Sequence, residues 1–285
     1  MPSESGSQAA KGSPAGSGLT AGTGGGMAAG SRSDDAGTAA TASGWAPSAG
    51  AAEAPKATRH AVVTGSSSGI GRAIATGLLA EGWRVSGLDV APPTLDHTGF
   101  RSITVDLRNV DAMVAAAREL CDAAAFVHAA GVLRVGALGQ LDAEAGALMW
   151  QLHVQAASVL ADVLVPGMVD RRHGRVVLLG SRVAQGMAGR SQYAATKAAL
   201  IALARSWAAE VAPYGVTVNV VSPAATQTAM SDDPARAADA PRLPPIGRLL
   251  RPEEIAATVA FLLSSAAEAM TGQDIQLCGG ASLAR

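Results

Sequence analysis

Tyr193 and Lys197 stand four residues apart in Tyr193-Ala194-Ala195-Thr196-Lys197. In a helix that spacing puts a phenol and an ammonium on one face. A phenol is a poor base at neutral pH because its reference pKa is about 10. A neighbouring ammonium favours the phenolate and draws that value down, towards useful acid–base work. Twelve residues earlier, Ser181 follows the apolar run Val176-Val177-Leu178-Leu179-Gly180. This puts a hydroxyl at the carboxyl end of a strand, where open α/β sheets place their sites. The three groups suit hydride transfer at a carbonyl. Ser181 would hold the oxygen, Tyr193 would pass the proton, and Lys197 would bind a ribose and tune the tyrosine, the hydride being the cofactor's. A YxxxK pair alone is usually a solvated helix face, so the weight rests on what accompanies it.

A Gly-rich turn accompanies it. Thr64-Gly65-Ser66-Ser67-Ser68-Gly69-Ile70-Gly71 follows a first apolar run and precedes a helical pattern. Gly65 lets the strand turn tightly, and Gly69 and Gly71 let backbone and helix come close to a ligand. The helix start offers unpaired N–H groups and a positive dipole end to a pyrophosphate. Ser67, Ser68 and Ile70 belong to the same cradle. Asp89 lies eighteen residues beyond Gly71, where a carboxylate can accept hydrogen bonds from ribose hydroxyls. A 2′-phosphate there would meet like charge, and neither Val90 nor the loop serines offer it a cation, so NAD is expected over NADP. Asp106-Leu107 could meet the adenine edge; Asp106 could equally cap the helix that starts near Val110.

These groups need a sheet to hold them. His60–Thr64, Trp83–Asp89, Phe100–Asp106, Ala125–His128, Arg175–Gly180, Val216–Val221 and Asp274–Leu277 read as seven strands. Helical patterns fall between most of them, near 70–81, 111–121, 143–165, 192–212 and 252–264. Apolar strands alternating with helices predict a doubly wound, Rossmann-type α/β fold: a seven-stranded parallel sheet with helices on both faces, in a single domain over 57–285. Residues 1–56 are mostly Gly, Ala, Ser and Thr. They have little to bury, so a disordered extension is expected there. That stretch carries Glu4, Asp34, Asp35 and Glu53, which does not suit a transit peptide.

Composition excludes several alternatives. Of 285 residues, 22 are Lys or Arg and 23 are Asp or Glu, for a formal net charge of −1. That balance gives no electrostatic reason for nucleic acid or an anionic membrane as partner. The two cysteines, Cys121 and Cys278, form no CxxC pattern, and the five histidines do not pair at metal-ligand spacing, so no metal is expected. No apolar run reads as long enough to span a bilayer and no secretory signal is visible, so the expectation is a cytoplasmic protein.

As a set, Thr64-Gly65 with Gly69 and Gly71, Asp89, Asp106, Ala129-Ala130-Gly131, Ser181, Tyr193 and Lys197 resemble the classical short-chain dehydrogenase/reductase family over 57–285. Asn219 to Thr228, with Pro223, Thr226 and Thr228, resembles the family's stretch that holds the nicotinamide carboxamide. Arg251-Pro252-Glu253-Glu254-Ile255, and Thr271-Gly272-Gln273 with Gly279-Gly280, resemble its closing signature. The resemblance implies an NAD(P)-dependent oxidoreductase acting on a small alcohol or ketone. It also implies a homotetramer or homodimer, with the helices near 143–165 and 192–212 paired across one interface. Four positions depart from the pattern. His153 stands where the family has the Asn that kinks its helix and holds a proton-relaying water; the ring could take over that water, shuttle protons, or be inert. His128 replaces another usual Asn and is expected to be a buried imidazole bonded to backbone. Ala224 replaces a Gly and Cys278 an Asp.

Residues 229–247, Arg182, Gln185 and Arg134 are candidates for contact with substrate, although Arg134 also reads as a solvated surface residue. The loop has little bulky apolar surface beyond Met230, Leu243 and Ile246, which favours a compact polar or cyclic alcohol. A 3-oxoacyl-thioester reductase is the alternative within the class. Outside it stands a catalytically weak module that binds NAD and senses redox state.

Overall fold

A computed structural model describes residues 59–228 and 243–283. The extension 1–56 and most of the loop 229–247, Met230 included, lie outside the described residues. Seven parallel strands form one sheet in the order β3-β2-β1-β4-β5-β6-β7. They are β1 (His60–Thr64), β2 (Arg84–Asp89), β3 (Phe100–Thr104), β4 (Ala125–His128), β5 (Gly174–Leu179), β6 (Val216–Pro223) and β7 (Asp274–Leu277). The helices are α1 (Gly69–Ala80), α2 (Val110–Arg118), α3 (Ala143–Trp150), α4 (Ala156–Asp170), α5 (Ser191–Val211) and α6 (Pro252–Leu263). The described residues belong to one compact unit.

Strands β1, β4, β5 and β6 are buried along their whole length, as expected of parallel strands covered on both faces. The period of two divides their side chains between two cores. Val62, Phe126, Val176 and Leu178 meet Leu160, Leu164, Met168 and Leu200 from α4 and α5 on one face. Ala61, Val63, Val127 and Val177 meet Ile74, Leu78, Val259 and Leu262 from α1 and α6 on the other.

One sequence expectation needs correcting. The helical stretch Ala143–Asp170 is long and apolar enough, by length and composition, to cross a membrane. Much of its apolar character is core, since Met149, Leu160, Leu164 and Met168 are fully buried. A second correction concerns its shape. The pattern near 143–165 reads as one helix, but Gln151–Gln155 forms a π-helical turn between α3 and α4. Such turns lengthen the hydrogen-bond loop and frequently mark functional sites.

Candidate active site

The chain builds outward from β1 through β2 to β3, then restarts at β4 on the other side. The carboxyl ends of β1 and β4 therefore flank the crevice where open α/β sheets take ligands. Gly65 leaves β1 with φ +69°, and a Cβ on it would lie 2.9 Å from the Ala130 backbone. A Cβ on Gly71 would lie 2.1 Å from the Gly65 carbonyl oxygen. Neither position admits a side chain. Ser68 is the N-cap of α1 but makes no side-chain capping bond, and no acid sits in the first turn. The helix start thus keeps its N–H groups and positive end available to an anion.

Asp89, at the end of β2, accepts 2.9 Å hydrogen bonds from the Ser67 and Ala91 N–H groups. It thereby braces the Gly-rich loop, a role its place in the sequence did not announce. Asp106 does not cap α2; Asn109 does, accepting from the Ala112 N–H at 3.1 Å. The Arg108 guanidinium grips both Asp106 oxygens and holds that carboxyl below the usual carboxylate range. The Leu107 side chain is buried in the core.

At the neck of the crevice the Thr64 hydroxyl accepts from the Ala129 and Ala130 N–H groups, at 3.0 and 3.1 Å. It lies 3.0 Å from His128 Nδ1, to which it donates, while His128 Nε2–H donates to the Leu152 carbonyl at 3.0 Å. Burial, helped by the nearby Lys197 charge, lowers the His128 pKa to about 3. His128 is a neutral tie between β4 and the π turn, in keeping with the sequence reading.

Ser181, Tyr193 and Lys197 line one cavity of about 650 Å³, with Ile70, Ala129, Gly131, His153, Pro223, Thr226 and Thr228. Ser181 follows β5 in extended conformation, and its Oγ accepts from the Val183 N–H at 3.2 Å. Tyr193 lies in the first turn of α5. The Lys197 ammonium sits 5.7 Å from the centre of its ring and donates to the Leu179 carbonyl at 2.7 Å. Burial lowers the Lys197 pKa to about 7. Val132, Leu133, Met187, Ala188 and Ala281 also line the cavity, with Pro244 from the nominated loop; the first five were not singled out because they come from three separate segments. Arg182 lines it; Gln185 and the exposed Arg134 do not.

His153 is fully buried in the π turn. Its Nε2 accepts from the Val132 N–H at 3.1 Å, and its Nδ1 lies 2.8 Å from the Thr196 hydroxyl. That hydroxyl in turn donates to the Tyr193 carbonyl, so Nδ1–H is the donor of the pair. The ring meets Tyr193 edge-on, with centroids 5.6 Å apart. Burial, then the Lys197 and His128 charges, hold the imidazole well below its ordinary pKa. Both nitrogens are engaged, which leaves the ring suited to positioning Tyr193 and α5. His153→Ala is accordingly expected to cost about 3 kcal/mol of stability, through a cavity and two stranded polar groups. The shape of its pH–rate profile should stay that of wild type. A limb lost between pH 5 and 8 in the variant would put the ring back into the proton path.

A Gly-rich turn at an uncapped helix start, opening into a chamber that holds a serine, a tyrosine and a lysine, suits an oxidoreductase that exchanges a hydride with a dinucleotide. Comparison with known proteins agrees. A family model described as enoyl-(acyl carrier protein) reductase matches residues 65–282. The 3-oxoacyl-(acyl-carrier-protein) reductase FabG of Vibrio cholerae is 34% identical over 234 residues, covering 77% of this chain and 96% of the relative. The 2,3-dihydro-2,3-dihydroxybenzoate dehydrogenase of Escherichia coli is 35% identical over 242 residues, covering 78% and 96%. Among solved structures, the ligand-free aldohexose dehydrogenase of Thermoplasma acidophilum is similar with a TM-score of 0.74 at 26% identity, covering 80% and 95%. The chain belongs to the classical short-chain dehydrogenase/reductase family. It is an NAD(P)-dependent oxidoreductase acting on hydroxyl and carbonyl groups.

Proposed function

We propose that this enzyme moves a hydride between NAD and the hydroxyl or carbonyl carbon of a small polar or cyclic substrate. The observation that carries the reading is the convergence of Ser181, Tyr193 and Lys197 on one cavity. The dinucleotide fits the residues present: Gly65 and Gly71 leave no room for a Cβ, α1 starts uncapped, and Asp89 stands at the β2 end. When bound, the nicotinamide supplies or accepts the hydride. The Ser181 hydroxyl donates to the substrate oxygen. Tyr193 gives that oxygen its proton in reduction and takes it back in oxidation. Lys197 holds the ribose and, while charged, favours the phenolate. Pro223, Thr226 and Thr228 line the nicotinamide end.

Asp89 supports NAD over NADP through repulsion of a 2′-phosphate. Wild type is expected to show at least about tenfold higher kcat/KM with NADH than with NADPH. Asp89→Ser should erase most of that ratio, the size of a charged hydrogen bond. Equal or better turnover with NADPH by wild type would overturn the role given to Asp89. Tight NADH binding with no turnover of any alcohol or ketone in a broad panel would favour the redox-sensing module instead. The names of the FabG relatives favour a second reading, a 3-oxoacyl-thioester reductase; including acetoacetyl-CoA in the panel beside cyclic ketones separates the two. An assembly of two or four copies belongs to the same proposal, and Trp150, at the end of α3, is 50% exposed.

A further inference from the structure

The wall of the cavity beside the reacting hydroxyls is cationic. Arg182 follows Ser181 directly, in the short turn Arg182–Gln185, and lines the cavity together with Arg190. No Asp or Glu lines it among the described residues. Several other arginines are engaged: Arg84, Arg101, Arg108 and Arg248 pair with carboxylates, and Arg171, Arg172 and Arg175 donate to backbone carbonyls, while Arg72, Arg118 and Arg205 are exposed. Arg182 is half-buried and has no hydrogen-bond or ion-pair partner among the described residues. A guanidinium stays charged at any relevant pH, and one drawn partly out of water without a partner is poised for an anion. Its planar fork matches a carboxylate in particular. Around it the wall is apolar, through Val132, Leu133, Val183 and Met187.

Resting on the reading of Ser181, Tyr193 and Lys197 above, we propose that the substrate is a compact hydroxy or oxo acid whose carboxylate is taken by Arg182. The apolar wall takes the carbon skeleton, and the carbonyl faces Ser181 and Tyr193. Arg182 is then a specificity-determining residue, one position along the chain from the serine.

The probes are 3-oxocyclohexanecarboxylate and its methyl ester, reduced with NADH by wild type, Arg182→Gln and Arg182→Lys. Wild type is expected to favour the acid by at least about tenfold in kcat/KM. The acid-to-ester ratio should fall towards one in Arg182→Gln, mainly through KM for the acid, and recover in part in Arg182→Lys. An unchanged ratio in Arg182→Gln, or a rise confined to the KM for NADH, overturns the proposal. A binding measurement separates this failure from failure of the oxidoreductase reading. In the NAD complex, cyclohexanecarboxylate should raise the melting temperature of wild type but not of Arg182→Gln, and the corresponding carboxamide should raise neither. That pattern supports the carboxylate subsite even if neither ketone turns over, whereas no carboxylate-dependent shift in wild type overturns it.

Discussion

Tyr193→Phe is expected to reduce ketones about 10²–10⁴-fold more slowly than wild type, the usual size of a general acid's contribution. The geometry makes this an informative deletion, because it removes one hydroxyl and little else. Phenylalanine keeps the edge-on contact with His153 and the place of the ring beneath the Lys197 ammonium. The substitution leaves the Gly-rich turn and Asp89 unaltered, so NADH binding should persist, with a melting temperature within about 2 °C of wild type. Single-turnover oxidation of NADH, read beside a binding titration, separates the chemical step from coenzyme affinity. A variant that binds NADH and reduces ketones at full speed would remove Tyr193 from the proton path.

Lys197→Met has two expected effects with opposite consequences. Activity falls by at least about 10²-fold, since the charge beside the phenol is gone. Stability changes in a pH-dependent way. Lys197 is 5% exposed, and burial lowers its pKa from 10.5 to about 7. Between those values the unfolded chain holds a proton that the folded protein has released, so this group makes stability rise with pH across that window. Below pH 7 both states are protonated and the contribution is flat. The full rise is on the order of 5 kcal/mol. The variant lacks it, although it also strands the Leu179 carbonyl that Lys197 engages. Urea denaturation of coenzyme-free protein at pH 7, 8 and 9 should show wild type gaining on Lys197→Met by roughly 1 kcal/mol per unit. Parallel curves would mean that the ammonium is better solvated than its burial implies.

The strands were legible because burial on both faces leaves a plain trace: Val62-Val63 and Val176 to Leu179 have nothing polar between them. Ser181, Tyr193 and Lys197 were legible because one is fixed to a strand end and two to a helix face, and the sheet then brings those elements together. What escaped was long-range pairing of polar groups. Nothing local says that His153 will find Val132 and Thr196, 21 and 43 residues away, or that Asp89 will reach back to Ser67. The π turn escaped for a similar reason. Its extra residue is absorbed by contacts with β4 and α5, while the apolar spacing along 143–165 still reads as an ordinary helix. Of the two readings of Asp106, the helix cap fails because Asn109, one residue before the helix, is the better-placed acceptor.

His128 and His153 flank the same ammonium in opposite tautomers. His128 carries its hydrogen on Nε2, because Nδ1 receives the Thr64 hydroxyl; His153 carries its hydrogen on Nδ1, because Nε2 receives an amide. A proton added to His153 Nε2 would point at the Val132 N–H, and one added to His128 Nδ1 would displace the hydrogen bond donated by Thr64, both in buried rings. Acid therefore has a handle on the reacting centre itself. Below about pH 6.5 each imidazole binds its proton more readily in the unfolded chain, and stability drains away at up to about 1.4 kcal/mol per pH unit for each ring.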